Sequence, residues 1–262
     1  MAAKKNQFTE LIDILQEVNE KDIIPVWIPS LQRSVDFKPI TVQQQKKIIA
    51  TALESSLNTM AFNIITNDLI KECCSEQGLL IHTFDKPCIL TSLRGHMLGY
   101  DIVGQSSTGD DFPVNVEEHC DKFPTHKIPK TLLNSKVIKH GDIEISFKPP
   151  LLEEDTAVNT KARKKIDDLI KDKNLSSSIG EVIVYELVKY IKSITISGRV
   201  LEFNYTDVLQ LIKIVDQLPL KMSKLIITEI EKIKKYEDKF GTLTVGKEKV
   251  TIVVDARFFN GE

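Results

Sequence analysis

The chain has 262 residues, 42% of them hydrophobic and 27% charged, with 35 basic and 37 acidic side chains and a formal charge of −2. That length can bury one large core or two modest ones, the composition is that of a folded domain, and the balanced, interspersed charge lacks the basic footprint that sequence-independent nucleic-acid binding requires. No apolar run reaches the roughly 20 residues that cross a bilayer, and the start turns amphipathic where a signal peptide is uniformly apolar. The expectation is therefore no membrane, no nucleic acid, and residence in the compartment of synthesis.

From the N-terminus, Phe8, Leu11, Ile12, Leu15 and Val18 form one stripe of a short amphipathic helix ending near Asp22. IPVWIP and SVDFKPI then alternate with period two around SLQR, which predicts a strand hairpin. Pro39 closes its second strand, and Thr41 is placed to cap a helix whose Ile48, Ile49 and Leu53 share a face. A second helix runs through Met60, Phe62, Ile64, Ile65, Leu69 and Ile70 to Cys74. A third spans Lys86 to Leu98, with Pro87 in its first turn and Gly99 just past its end.

Between Asp101 and Pro150, turn formers and short alternating runs predict a small β insertion, with VIKHGDIEISFKPP as its clearest strand signal. Leu151 to Asn174 is the most charged stretch. It could be a basic contact surface, but Ile166, Leu169 and Ile170 fit a helix with one solvated face, and that reading is adopted. Ile179, Val182, Ile183, Leu187, Tyr190, Ile191 and Ile194 repeat at helical spacing, and ITISGRVLEFNY reads as a hairpin about Gly198. Thr206 is expected to cap a helix carrying Val208, Leu211, Ile212 and Val215. Pro219 separates it from a last helix carrying Met222, Leu225, Ile226, Ile230 and Ile233. A hairpin about Gly246 closes the chain.

The predicted class is α+β: an N-terminal strand hairpin with helices, a β-rich insertion, and a helical C-terminal half with a closing β-hairpin. Its organisation reads as an amphipathic arm (1–22), a hairpin plus helical domain (23–104), the β-rich insertion (105–152) and a helical domain with the terminal hairpin (153–262).

Catalytic and metal signatures are thin. Cys73, Cys74, Cys88 and Cys120 are few for this length, and the adjacent pair fits no disulfide framework, so all four read as reduced thiols. His119 and Cys120, with His126 further on, form the one cluster of metal-ligand types. A structural zinc needs four ligands, usually as two close pairs, so this partial set on a loop reads as incidental. His82, His96 and His140 stand alone. No nucleophile elbow or phosphate-binding glycine loop is present, and the paired carboxylates of GDDF, EEH and LEEDT fall in polar turns. The reading is of no enzyme, no cofactor and no small-molecule substrate.

Taken in order, several segments resemble the baseplate hub proteins of T4-like contractile-tailed bacteriophages. They are VWIPSLQRSVDFKPITVQQQKKIIATALE, NIITNDLIKECC, LTSLRGHMLGYDI with Leu93, Arg94 and Gly99, EISFKPP, and DARFFNGE at the chain end. The chain departs from that family where members carry Cys-x-x-Cys pairs. It has His119 and Cys120 in the first place and GKEK at 246–249 in the second, so the zinc does not carry over and a ribbon there must rest on hydrogen bonds and apolar packing.

The resemblance implies a structural role in a tail baseplate, synthesis in the host cytoplasm, and other tail and baseplate proteins as partners. An assembly factor for hub or tape-measure proteins is the alternative, and a hub-associated cell-wall hydrolase a more distant one. Candidate interface residues are Phe8, Leu11 and Leu15 of the N-terminal helix, Trp27 and Phe37 of the hairpin, and Phe258 and Phe259. Against each stands ordinary core packing, since large apolar side chains are more often buried than shared.

Overall fold

The computed structural model describes residues 7–54, 59–171 and 175–261. Helix α1 (Gln7–Lys21) leads into a hairpin of β1 (Ile24–Ile28) and β2 (Arg33–Phe37), paired antiparallel with Val26 opposite Val35. The period-two pattern does its work here: Ile24, Val26, Ile28, Val35 and Phe37 all face inward. Helix α2 (Val42–Glu54) starts from a capping box, in which Thr41 Oγ1 accepts the Gln44 N–H at 3.3 Å and Gln44 Oε1 accepts the Thr41 N–H at 2.9 Å. Helices α3 (Thr59–Cys73) and α4 (Lys86–Leu98) complete this layer.

The β-rich stretch divides between two sheets. Strands β3 (Asp101–Gln105) and β4 (Asp111–Asn115) join the closing hairpin, β9 (Thr242–Val245) and β10 (Glu248–Ile252), in the order β4-β3-β10-β9. Gly104 permits that junction: a Cβ there would stand 2.5 Å from Val250 Cγ1 and 2.9 Å from the Thr251 carbonyl oxygen. After the short helices α5 (Glu117–Asp121) and α6 (Lys130–Leu133), strands β5 (Lys136–His140) and β6 (Ile143–Phe147) begin a second sheet. Strands β7 (Ile191–Ile196) and β8 (Arg199–Glu202) finish it in sequential order. Helices α7 (Leu152–Lys171) and α8 (Leu175–Tyr190) lie between the two hairpins in sequence. Helices α9 (Val208–Asp216) and α10 (Leu220–Gly241) follow, and α11 (Ala256–Asn260) ends the described chain.

Three local expectations are corrected. Ile191 and Ile194 belong to strand β7, not to the helix before it. A register shift opposite Ser146 and Phe147 pairs Phe147 with Ile191 and Ser146 with Ser193, so the extra residue, Lys192, lets side chains of opposite parity both face the core. That bulge makes a strand imitate helical spacing. The cap of α9 is Asp207 in place of Thr206, because Asn204 Oδ1 accepts both the Thr206 N–H (3.1 Å) and its hydroxyl (2.9 Å) in an Asx turn. His119 and Cys120 sit in the single-turn helix α5, not in a loop.

Burial falls into two hydrophobic cores. The first joins the β1–β2 hairpin, α2–α4, β3, β10 and α11 through residues such as Val26, Phe37, Ile70, Leu93 and Phe259. The second lies between the β5–β8 sheet and helices α7–α10, around Ile145, Phe147, Val158, Tyr185 and Ile226. The cores meet along a seam where α3 packs on α7 and α4 on α10.

Candidate functional site

The interface candidates separate sharply. On α1, Leu11 and Leu15 are 57% and 61% exposed, and Ile12, Ile14 and Val18 are likewise more than half exposed. The side chain of Phe8 lies outside the described residues. Trp27 is half-buried against the C-terminal core, and its backbone carbonyl accepts the Cys88 thiol at 3.2 Å. Phe37, Phe258 and Phe259 are buried in this chain's own N-terminal core, so within this fold they supply packing and no free surface.

The chain end is held there by several contacts. Asp255 Oδ1 caps α11 by accepting the Phe258 N–H at 3.1 Å, and Phe259 meets Phe62 edge to face with ring centroids 6.5 Å apart. The buried Arg94 donates from Nε to the Phe258 carbonyl (3.3 Å) and from Nη1 to the Gly99 carbonyl, and Gln45 donates to the Phe259 carbonyl. The glutamine run of α2, the LRG segment of α4 and the terminal RFF therefore converge in space.

His119 and the turn at Val245–Gly246 border one open concavity on the surface. His119 Nε2 lies 3.1 Å from the Phe240 carbonyl and its ring meets Phe123 edge to face, while burial pulls its pKa down. Among the described residues no three His, Cys, Asp or Glu side chains are grouped to hold a metal ion. Burial also pushes the thiols of Cys73 and Cys120 up to about 12 and that of Cys88 well above its usual range. A nucleophilic cysteine needs the thiolate, which these sites suppress.

The most chemically dense place is one that sequence reasoning missed: a cleft of about 430 Å³ at the seam between the cores. Helix α7 places Leu152, Asp155, Val158, Asn159, Ala162 and Ile166 on one buried stripe, and α8 places Tyr185 and Lys189 one turn apart on another. Two of those positions on α7 and one on α8 are polar where the stripe calls for apolar residues, and that mismatch was the available signal. Asp155 Oδ1 pairs with Lys189 Nζ at 2.8 Å, and Oδ2 accepts from Asn67 Nδ2 (2.7 Å) and Asn159 Nδ2 (3.0 Å). Lys189 also pairs with Glu186. Burial raises the Asp155 pKa, but the ammoniums of Lys189 and Lys86 outweigh it and leave the carboxyl below its ordinary value.

Lys86 and Glu237 line the same cleft without such partners. Among the described residues the one hydrogen bond of Lys86 Nζ goes to Asn63 Oδ1, at 3.4 Å, and burial pulls its pKa down to about 8 against the pull of Asp155, Glu237 and Glu186. Glu237 has no hydrogen bond or ion pair within 4.0 Å among the described residues, and burial raises its pKa against the pull of Lys86 and Lys234. A second buried carboxylate besides Asp155 lies close to Lys86 in sequence but serves another purpose. Asp85 accepts from the Ser30 N–H (2.8 Å), the Ser30 hydroxyl (2.7 Å) and the His82 N–H (2.9 Å), tying the β1–β2 turn to the start of α4. Burial pushes it up to about 6 in spite of those three donors.

These sites are fastened inside a family-wide frame. The profile of the T4 bacteriophage base plate protein family matches residues 21–259. The chain belongs to that family. The match takes in both cores, both four-stranded sheets and the seam, and it begins at the last residue of α1. Neither a curated protein nor a solved structure matches the chain. Membership implies a baseplate role, a place in the virion tail and contact with other phage tail proteins. Among the described residues, no helix is long and apolar enough to cross a membrane.

Proposed function

We propose that the protein is a structural component of the baseplate hub of a T4-like contractile tail, made in the host cytoplasm and acting through protein–protein contacts. The observation that carries this reading is the family match across residues 21–259. A further feature supports it. The α1 stripe of Leu11, Ile12, Ile14, Leu15 and Val18 is apolar surface that this chain leaves uncovered, and exposed apolar patches mark interaction sites. The partner in this reading is another tail protein, met by the arm that precedes the family's frame.

Chemistry argues for a scaffold and against a hydrolase. Glycoside hydrolysis needs two carboxyl groups free to act on substrate and water. In the cleft, both oxygens of Asp155 are occupied by Lys189, Asn67 and Asn159 and Glu186 is paired with Lys189, which leaves Glu237 as the single unpaired carboxyl among the described lining residues. The buried cysteines, held as thiols, supply no nucleophile in their place.

Mass spectrometry of purified particles tests the reading. A hub component is present in fixed stoichiometry with the other tail proteins. Absence from particles, together with co-purification with hub or tape-measure proteins from infected-cell extracts, would show an assembly factor instead. Degradation of purified peptidoglycan by the full chain would show a hydrolase.

A further inference from the structure

We propose that the tail protein covering the α1 stripe is a second copy of this chain, which receives that helix in a basic groove between α10 and the segment from α6 to β5. This rests on the reading of α1 as a contact arm within the baseplate and names the arm's partner. The groove, of about 430 Å³, is lined by Leu132 of α6, Tyr236 of α10 and four lysines, Lys136, Lys232, Lys235 and Lys239, with no acid in the lining. Glu229 of α10 pairs with Lys136 at 3.0 Å and with Lys232. Lys235 has no ion pair among the described residues, and Lys239 Nζ lies 4.4 Å from the centre of the Tyr236 ring. The positive excess survives a wider count: across 127–136 and 229–239, seven lysines stand against four acids.

Helix α1 has the opposite sign. Its sequence, QFTELIDILQEVNEK, carries four acids and one lysine, and the arm as a whole, 1–22, has five acids and three lysines. Glu10 and Glu17 stand four residues before and three after Ile14, a spacing that sets them along one margin of the apolar stripe. A helix laid stripe-down on the groove brings Leu11 and Leu15 against Leu132 and Tyr236 and carries carboxylates along the lysine rim. The lysine stems extend the apolar wall, as in other grooves that take an amphipathic helix.

Two observations assign the helix and the groove to different copies. Within one chain both are uncovered: Leu11 and Leu15 are more than half exposed, and Lys232, Lys235 and Lys239 are exposed. Only Asp22 and Ile23 join α1 to β1, whose hairpin is fixed in the N-terminal core, while Leu132 and Tyr236 belong to the C-terminal core. A contact between unlike surfaces leaves each copy with a second one to offer, so the copies close into a ring or continue as a chain.

The test is carbodiimide crosslinking of the full-length chain, mixed from equal amounts of isotope-labelled and unlabelled protein, read by mass spectrometry beside analytical sedimentation. Crosslinks should join Glu10 or Glu17 to Lys235 or Lys239 with the two peptides drawn from differently labelled chains. The average mass should exceed that of one chain at about 100 μM protein. Glu17→Lys, or Lys235→Glu with Lys239→Glu, should weaken self-association at least about tenfold with an unchanged thermal midpoint, and combining them should restore part of it. A monomer at that concentration overturns the proposal, as do crosslinks confined to one chain or undiminished association of the charge-reversed variants. If those variants do not fold, the isotope pattern alone decides. An assembled tail in which a different protein fills the groove is equally contrary. Absence of the chain from tails is a separate result, which removes the baseplate reading while the solution measurements still decide this contact.

Discussion

Two charged pairs occupy one cleft and differ in what the chain provides for them. Asp155 and Lys189 are joined at 2.8 Å and surrounded by further donors and acceptors from α3, α7 and α8. Lys86 and Glu237, a few side chains away on α4 and α10, share the enclosure without sharing the satisfaction. A buried charge is tolerated when it is paired and hydrogen-bonded, and it is costly when it is not. The first pair is thus a fastening between helices, whereas Lys86 and Glu237 are part-buried and feel their neighbours' charges without an ion pair of their own among the described residues. Asp85 adds a third case, a buried carboxylate satisfied entirely by neutral donors.

The largest expected effect breaks the fastening. Lys189→Met leaves Asp155 buried without its closest cation and should lower unfolding free energy by about 3–5 kcal/mol in denaturant titrations. An undiminished midpoint would mean that the pair is not what ties α7 to α8.

Asp85 gives the next effect, and it is a pH dependence. Its folded pKa, about 6, is above its value in an unfolded chain, so the folded state holds the proton more tightly between about pH 4 and 6. The stability due to this group is fully present below about pH 4 and is lost as pH rises through about 6. Asp85→Asn removes that titration. The stability gap between wild type and variant should therefore shrink by up to about 3 kcal/mol from pH 4 to pH 7. A gap that stays constant would contradict the assignment.

Smaller effects sharpen the contrast. Lys86→Met removes an under-partnered ammonium and should hold or raise stability by up to about 1–2 kcal/mol, opposite in sign to Lys189→Met. A loss comparable to that of Lys189→Met would erase the distinction between the pairs. Smallest of all, Leu11→Glu or Leu15→Glu on the exposed face of α1 should change stability of the free chain by no more than about 0.5 kcal/mol. A larger loss in calorimetry would show that α1 packs against its own chain.

Much of the frame was legible because it is written in local rules. The hairpin at 24–37 follows from strict alternation, α2 from its capping box, and α4 from Pro87 and Gly99. What escaped has specific causes. The bulge at Lys192 shifted the parity of β7 and disguised it as helix. Pairing of β3 with β10 joins strands far apart in the chain, which no local window contains. Of the candidate contact residues, the α1 stripe could be read, since amphipathicity on a terminal helix needs an outside partner or a loose fit. Phe37, Phe258 and Phe259 could not be sorted the same way, because an aromatic residue looks alike in sequence whether its neighbours are its own core or another protein. The cleft was hidden for the reverse reason: Asp155, Lys189 and Glu237 look like surface charges until the helices that carry them are packed.

A reconstruction of the intact tail at side-chain resolution tests most directly whether this protein works by presenting surface to its neighbours. It should show the chain at fixed copy number in the baseplate, with Leu11, Leu15 and Val18 of α1 covered by another tail protein. A tail in which the chain is missing, or in which that stripe faces open solvent on every copy, would contradict the account.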